Sequence, residues 1–163
     1  MILFAKNQTV AGFLSKQLTT GIMNKCYYAV AAGVPVNGKE QGVLVDYLMK
    51  DTKTNSSCVT TKDKGKESKL EYTLLKQIKT GDKTYALYDI HLLTGRHHQI
   101  RVQMSYHQMP LLGDAKYGSE QSAKLSEEMN IRKTALLAYR LVLKHPKTGK
   151  IKKYELKIPD NWQ

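Results

Sequence analysis

Short stretches of alternating hydrophobic and polar residues recur along this chain, and their period predicts β-strands. The predicted strands cover residues 1–5, 25–32, 59–61, 70–78, 83–92, 136–144 and 150–158. The apolar residues 43–49 are compatible with either a helix or a strand. The strands at 70–78 and 83–92 flank a Thr-Gly-Asp-Lys turn, and the last two strands flank a His-Pro-Lys-Thr-Gly turn, so we expect two β-hairpins.

Three further segments have the spacing of amphipathic helices. Asn7 is placed to cap the first helix through its side-chain oxygen, and Gly21 is placed to end it. The apolar residues of this helix fall on one face and are Val10, Phe13, Leu14 and Leu18. The second and third helices are predicted at residues 98–106 and 122–129.

Strands outnumber helices, and neither a linker nor an internal repeat divides the sequence. Loops rich in glycine, proline or polar residues join the elements at 33–38, 51–57 and 110–118. This arrangement predicts a single domain over residues 1–163 in the α+β class. We expect a mixed, mostly antiparallel sheet with helices packed on it.

The chain carries a large excess of positive charge, with 26 Lys and Arg against 14 Asp and Glu and a net charge of +12. Such an excess disfavours a compact domain unless an anionic partner offsets it, and Lys and Arg contacts to phosphate supply most of the energy of nucleic-acid binding. The alternative is a solvated basic surface without a partner. No membrane partner is expected, because no apolar run spans a bilayer and no helix joins a basic face to a strongly apolar one.

The sequence offers no support for metal or nucleotide chemistry. Cys26 and Cys58 lack zinc-site spacing, so we expect free thiols and a cytoplasmic location. None of the five histidines has a partner at metal-binding spacing. A Gly-x-Ser-x-Gly nucleophile elbow and a phosphate-binding glycine-rich loop are both absent from the sequence. We therefore expect no metal and no cofactor.

The densest polar cluster is residues 93–102, Leu-Thr-Gly-Arg-His-His-Gln-Ile-Arg-Val. Arg101 lies in the first turns of the predicted second helix, where the helix dipole and free N–H groups favour an anion. Its planar guanidinium fits a carboxylate or a phosphate with two hydrogen bonds. Arg96, His98 and Gln99 add further donors on the turn. The alternative is a surface helix with ordinary polar residues.

Tyr27 and Tyr28 are neighbours on a predicted strand, so their side chains point to opposite faces. One should face the core and the other a cleft or solvent, where a tyrosine can stack on a base and exchange a proton. Simple packing of two aromatic residues is the alternative. Asp114 follows a glycine in a loop and is expected to accept hydrogen bonds from backbone amides, and Asp46 and Asp89 rank below it as chemical candidates.

Several of these segments together resemble a known family. Residues 93–102, followed by Leu-Leu-Gly-Asp-Ala-Lys-Tyr-Gly at 111–118, are similar to the third motif and the next loop of the RluA-type RNA pseudouridine synthases. Lys-Cys-Tyr-Tyr-Ala at 25–29 resembles the K-x-Y-x-A strand of that family. Further similar segments follow in family order at 46–48, 141–149 and 158–159. The resemblance spans essentially the whole chain.

The resemblance implies the pseudouridine synthase catalytic-domain fold, with a long mixed sheet and a central cleft. It implies isomerisation of uridine to pseudouridine in ribosomal or transfer RNA without cofactor or metal, on a base extruded from the RNA. By the same resemblance, Tyr27 is the active-site tyrosine that stacks on the uracil and assists removal of the C5 proton. Arg101 is the active-site arginine that pairs with the catalytic carboxylate and holds it ionised. Arg96, His98 and Gln99 match the RNA-binding turn that supports the cleft.

The sequence departs from the family pattern at its catalytic aspartate. In the family this residue lies in a His-Arg-Leu-Asp-Arg segment just upstream of a strand similar to residues 2–6, and no His-Arg-Leu-Asp string occurs in this chain. Gln-Met-Pro at 108–110 stands where the family has Gly-His-Pro, and Leu-Leu-Ala at 136–138 stands for Leu-His-Ala. We therefore expect an N-terminally truncated catalytic domain with little or no activity of its own.

Two other functional readings stay open at this point. The chain could be a non-catalytic RNA-binding module that retains a degenerate synthase cleft, or a basic domain unrelated to RNA. A truncated sheet would also leave an edge uncovered, which favours a homodimer through that edge.

Overall fold

A computed structural model describes residues 1–35, 38–81 and 83–162 of the chain. The strands in chain order are β1 (Asn24–Ala32), β2 (Gln41–Asp51), β3 (Ser56–Thr60), β4 (Lys66–Thr80), β5 (Lys83–Leu92), β6 (Leu136–Lys144) and β7 (Ile151–Glu155). The helices are α1 (Gln8–Thr19), α2 (Gln99–Tyr106), α3 (Glu120–Glu128) and a 3-10 turn at Asp160–Trp162. Val36, Asn37 and Asp82 belong to two of the predicted turns and lie outside the described residues.

The seven strands form one sheet in the order β3-β2-β4-β5-β1-β6-β7. The chain combines helices with a sheet, so the predicted α+β class is confirmed. Each neighbouring pair of these described strands is antiparallel, so the sheet is antiparallel rather than mixed. Both predicted hairpins, β4–β5 and β6–β7, are present. The ambiguous segment 43–49 lies within β2, because it pairs with β3 on one side and β4 on the other.

Helices cover both faces of the sheet. On one face, Ile100 and Met104 of α2 pack with Ala29 of β1 in the larger hydrophobic core. On the other face, Leu125 of α3 packs with Val30 of β1. Consecutive residues of β1 therefore enter different cores, which follows from the alternation of side chains along a strand. Because side chains pack on both of its faces, β1, the strand that carries Tyr27, is held in place.

The predicted N-cap of α1 is confirmed, since the side-chain oxygen of Asn7 accepts a hydrogen bond of 2.9 Å from the N–H of Val10. The predicted apolar face is only partly buried: Leu14 packs against Met23 and Leu143, whereas Leu18 is 46% exposed. Gln17 ties the helix to the sheet instead. Its buried side-chain amide exchanges two hydrogen bonds with the backbone of Lys144, at 2.9 and 2.7 Å.

The prediction of a strand at residues 1–5 is wrong, because this segment has no regular secondary structure and forms no ladder with any described strand. Met1, Leu3 and Ala5 line an apolar cavity, while Ile2 and Phe4 point to solvent with exposures of 79% and 81%. The alternation in this segment therefore reflects one-sided packing. The strand predicted to reach residue 158 is also shorter, since β7 ends at Glu155.

Candidate active site

The turn between β5 and α2 is held together by Gln99. Its side-chain oxygen accepts hydrogen bonds from the hydroxyl of Thr94, at 2.8 Å, and from the N–H of Arg96, at 3.0 Å. Its amide nitrogen donates to the carbonyl of Lys69 at 3.1 Å and to Gln103 at 2.9 Å. Gln99 is only 3% exposed. Its polar atoms are thus bonded within the protein and shape the turn, and a contact of Gln99 with RNA stays a prediction.

Arg96 and His98, the other predicted donors of the turn, are both accessible. Arg96 is exposed, and its Nε donates to the backbone carbonyl of Glu67 at 3.0 Å. His98 is half-buried in a left-handed conformation with φ of 52° at the start of α2. Its ring packs on that of His97, with centroids 3.8 Å apart, and its Nδ1 lies 2.9 Å from the hydroxyl of Tyr117.

Arg101 binds Asp114 with two hydrogen bonds. Nε and one terminal nitrogen of the guanidinium lie 2.7 and 2.6 Å from the two carboxylate oxygens. The side chain of Asp114 is fully buried, and that of Arg101 is 21% exposed. The expected turn role of Asp114 is confirmed as well, because its carboxylate also accepts from the backbone N–H groups of Lys116 and Tyr117 at 3.0 and 3.1 Å.

The charges of this pair reinforce each other. Burial alone raises the pKa of Asp114, but the hydrogen bonds from Arg101, Tyr117 and Lys116 outweigh it and leave the pKa below its ordinary value. The hydrogen bond to Asp114 in turn raises the pKa of Arg101. The guanidinium also lies over the ring of Tyr117, 4.9 Å from its centroid. Arg101 is thus a fixed cation, and two of its five N–H donors are used.

Tyr117 is a site residue that the sequence reading missed. Its hydroxyl accepts a hydrogen bond of 2.8 Å from the N–H of Ser57 and meets His98, so it joins β3 to the start of α2. The only sequence signal was its place in the Gly-Asp-Ala-Lys-Tyr-Gly loop, where an aromatic residue follows the turn-forming Asp114. Nothing in that local pattern indicates contact with a strand 60 positions earlier.

Tyr27 is half-buried on the sheet face that also carries α2, where it packs against the larger core. It lines an apolar cavity of about 370 Å³ together with residues of α1, β6 and the N-terminal segment. Burial raises the pKa of Tyr27, so its phenol stays protonated at neutral pH. Tyr28 points to the opposite face as predicted, and its ring stacks on Tyr139 at 3.6 Å rather than facing solvent.

Lys25 connects the apolar cavity to the turn before α2. Its side chain lines the same cavity as Tyr27. Its Nζ lies so close to Gly95 that a Cβ added to that glycine would come within 3.1 Å of it. Burial lowers the pKa of Lys25. The structure thus brings residue 25 of the β1 motif next to the turn of residues 93–98.

Tyr27 and α2 share a face of the sheet, but Tyr27 and Arg101 have different neighbours. Arg101 turns toward Asp114 and Tyr117, whereas Tyr27 turns toward the cavity beside α1. Among the described residues, no hydrogen bond, ion pair or ring contact joins Tyr27 to Arg101. That both side chains line one groove therefore stays a prediction.

The other acidic candidates are engaged in the interior. The carboxylate of Asp46 lies under α2, 2.6 Å from the amide of Gln103 and 3.1 Å from the ring of His107. Asp89 accepts a hydrogen bond of 3.0 Å from Tyr139, on the face opposite Tyr27. In the described part of the chain no cluster of three His, Cys, Asp or Glu side chains is placed to hold a metal ion. None of the described helices is long and apolar enough to cross a membrane.

We predict that His97 and His98 titrate below the ordinary histidine value of 6.5. Burial lowers both pKa values, and the nearby cations Arg101 and Lys116 lower them further. Because the unfolded chain takes up these protons first, the stability of the fold should fall as the pH drops below 6.5. The measurement is a histidine ring titration by NMR.

In that titration, Lys116→Gln should raise both histidine pKa values because it removes a neighbouring charge. Lys124→Gln, on the exposed surface of α3, is the matched control and should leave them unchanged. Ordinary titration of both rings in the parent protein would show that the cations do not act on them.

Known proteins similar to this chain identify its family. The family model described as RNA pseudouridylate synthase matches residues 1–106. The chain is 30% identical over 161 residues to the uncharacterized RNA pseudouridine synthase YlyB of Bacillus subtilis (strain 168), which covers 99% of this chain and 49% of that protein. It is 29% identical over 169 residues to ribosomal large subunit pseudouridine synthase D of Haemophilus influenzae, which covers 99% of this chain and 50% of that protein.

Solved structures show the same fold. The human RNA pseudouridylate synthase domain containing 1 superposes with a TM-score of 0.77 at 20% identity, over 95% of this chain and 62% of that chain. The human RNA pseudouridylate synthase domain containing 4 superposes with a TM-score of 0.71 at 18% identity, over 96% of this chain and 66% of that chain. The fold and the motifs around the turn before α2 therefore define a pseudouridine synthase domain.

The chain belongs to the RNA pseudouridylate synthase family, as the match over residues 1–106 shows. The names of these bacterial relatives agree with the resemblance of the sequence motifs to RNA pseudouridine synthases. The chain spans about half the length of the curated relatives it matches.

Proposed function

We propose that this chain forms the substrate cleft of an RNA pseudouridine synthase that converts uridine to pseudouridine in ribosomal or transfer RNA. The observation that carries the proposal is the meeting of two family motifs, at which Lys25 packs against Gly95 while Tyr27 lines an apolar cavity next to it. A cavity of about 370 Å³ falls in the size range of ligand pockets, about 300–1,000 Å³. The name of the Haemophilus influenzae relative, ribosomal large subunit pseudouridine synthase D, supports a ribosomal RNA substrate.

The reaction is an isomerisation that needs no oxidant and no second substrate. The bond between C1′ of the ribose and N1 of uracil breaks, the base turns, and a bond forms between C1′ and C5. C5 loses a proton and N1 gains one, so atoms and electrons balance. We propose that Tyr27 stacks on the extruded uracil and assists the C5 step through its phenol oxygen.

Arg101 has the electrostatics for the second role in the proposal. Asp114 uses two of its five N–H donors, which leaves three donors for a catalytic carboxylate or an RNA phosphate. The buried ion pair fixes the direction of the guanidinium before RNA binds, so little ordering is needed at binding. We propose that Arg101 holds a catalytic aspartate ionised, in the sense that a close cation lowers a carboxylate pKa.

The 163 residues contain no His-Arg-Leu-Asp segment, and the described carboxylates Asp46, Asp89 and Asp114 are bonded elsewhere. We therefore expect no pseudouridine formation by these residues alone. Fusing a segment with the His-Arg-Leu-Asp-Arg pattern of the family to the N-terminus should restore it. Pseudouridine is measured by mass spectrometry of ribosomal RNA after incubation with each protein.

In the fused protein, Arg101→Met should lower the rate by about 100-fold or more, since it removes a preorganised charge at the reacting centre. Lys147→Ala, an exposed charge on the β6–β7 turn, is the control and should change the rate by less than about twofold. Equal losses would show that net charge alone matters. Full activity of the unfused chain would overturn this account of the chemistry.

A non-catalytic RNA-binding module is the second candidate. The observation in its favour is that none of these three carboxylates forms a hydrogen bond with Tyr27 in the described part of the chain, which carries a net charge of +12 over its full sequence. It predicts salt-sensitive RNA binding and no turnover even in the fused protein.

Further proposals concern assembly and location. We propose a homodimer through an exposed sheet edge, with β3 as the contact, because the other edge strand, β7, presents Lys152 and Lys153, and such charges discourage edge pairing. Light scattering coupled to size exclusion distinguishes the dimer from a monomer.

We also propose a cytoplasmic location. Cys26 and Cys58 are both free thiols, which supports a reducing cytoplasm as the location.

A further inference from the structure

A second pocket lies beside the turn at Gly95. It has a volume of about 440 Å³ and is open to solvent at the end of the sheet where β2, β3 and β4 meet. Gly95 forms part of its wall, and the same glycine contacts Lys25 of the apolar cavity. The polar side chains that line it are Lys50, Ser57, Lys64, Lys66, Arg96 and His97, and we call it the cationic pocket.

The charges of the cationic pocket have one sign. No carboxylate is among its described lining residues. Lys50, Lys64, Lys66 and Arg96 form none of the ion pairs found between described side chains. Positive groups gathered without a counter-charge repel one another, so their proximity is stabilised when an anion enters. The cationic pocket therefore has the electrostatics of an anion-binding site.

Its walls are also ordered by hydrogen bonds. Nε of Arg96 donates to the carbonyl of Glu67, which orients the guanidinium and leaves its terminal N–H groups without a described partner. The buried hydroxyl of Ser57 lies 3.0 Å from Nδ1 of His97, so this ring is held by one nitrogen and keeps Nε2 for another partner. A planar guanidinium, a fixed imidazole and three lysines match the oxygens of a phosphate group.

We propose that the cationic pocket binds a phosphodiester of the RNA strand, a few nucleotides from the uridine held at Tyr27. This inference rests on the proposed function, since it extends the RNA path of the same site. We assign the phosphodiester to the same RNA strand because of where the pocket lies. The pocket is open to solvent, and Gly95 in its wall lies next to Lys25, which lines the Tyr27 cavity. A backbone that leaves one cavity therefore meets the other within a short distance.

The test compares two triple variants that remove the same charge from the full chain. Lys50, Lys64 and Lys66 become glutamine in the pocket variant, and Lys147, Lys150 and Lys152 become glutamine in the control, on the β6–β7 hairpin at the other edge of the sheet. All six side chains are exposed, so both variants are expected to fold. Binding of a fluorescent oligouridylate of about 12 nucleotides is followed by anisotropy over a range of salt concentrations.

The pocket variant should bind at least about tenfold more weakly, and the slope of log affinity against log salt should shrink by about 0.7 for each phosphate lost. The control should lose clearly less and keep the parent slope. If the two variants lose the same affinity and show the same salt slope, the cationic pocket is not a phosphodiester site, while the proposed function still stands. Absence of RNA binding by the parent chain overturns both.

Two further measurements test which ligand the pocket binds. The first distinguishes an RNA strand from free phosphate, and the second detects contact at the pocket itself. Inorganic phosphate, added at constant ionic strength, should not displace the oligouridylate; complete displacement at millimolar concentration would assign the pocket to free phosphate and overturn the strand proposal. The NMR pKa of His97 should rise when the oligouridylate binds, because the phosphodiester brings negative charge to the ring. An unchanged His97 pKa in the bound state would likewise overturn it.

Discussion

Replacing Gly113 by alanine is expected to destabilise the domain by about 3–5 kcal/mol, through left-handed strain and overpacking together. Gly113 has a φ of +67°, and a Cβ at this position would collide with the backbone carbonyl of Lys133 and lie 3.1 Å from a methyl carbon of Ile131. The nearest atoms belong to the backbone carbonyl of Lys133, which cannot swing aside as the end of a flexible side chain could. The free energy of unfolding, measured with urea, checks this expectation.

Gly149→Ala is the matched control for that substitution. Gly149 has nearly the same φ, +68°, but the nearest atom to an added Cβ is the Lys144 Cε at 3.6 Å, an ordinary contact. It should therefore show the conformational cost alone, about 1–2 kcal/mol. Equal effects of the two alanines would mean that the close approach of residues 113 and 133 does not constrain the native structure.

Asp114→Ala should cost about 2–4 kcal/mol, because it leaves the Arg101 guanidinium without its counter-charge and two backbone N–H groups without an acceptor. Arg101 keeps 21% of its surface in water, which limits the loss. The pKa of Asp114 is lowered in the folded state, so its contribution is present above the ordinary value of 3.8 and is lost as the pH falls through the lower folded value.

Urea unfolding of the parent and the Asp114→Ala protein should thus differ at neutral pH and converge in strong acid. Glu155→Ala is the control, since it breaks a similar pair with Arg140 that is exposed on β6 and β7. Exposed pairs contribute little, so its effect should be a small fraction of the Asp114 effect. A difference for Asp114 that is the same at all pH values would exclude the ionised carboxylate as its source.

Features of the chain that depend on neighbouring residues could be predicted from the sequence. The Asn7 cap of α1 needs only the N–H three positions later, and the β4–β5 hairpin needs only a short turn between two alternating segments. The motif at residues 93–102 likewise identified the family and the turn before α2. Local chemistry decides these features, so the sequence contains the signal for them.

Features that join distant parts of the chain could not be predicted in this way. Residues 1–5 alternate like a strand, but only the tertiary structure decides that they meet a cavity instead of a partner strand. The side chain of Gln99 donates to the carbonyl of Lys69 on β4, a contact that its local sequence does not indicate. The ion pair of Arg101 with Asp114 likewise joins α2 to a loop, and only the tertiary structure brings the two side chains together.

The position of β1 at the fifth place in the sheet has a consequence for changes in chain length. Tyr27 sits between Ile90 of β5 and Ala138 of β6, while the β2–β3 and β6–β7 hairpins lie toward the two outer ends. Changes of length in the turns of those hairpins should therefore leave the backbone around Tyr27 in place. The sheet can thus grow or shrink at its two ends without shifting the strand at its interior.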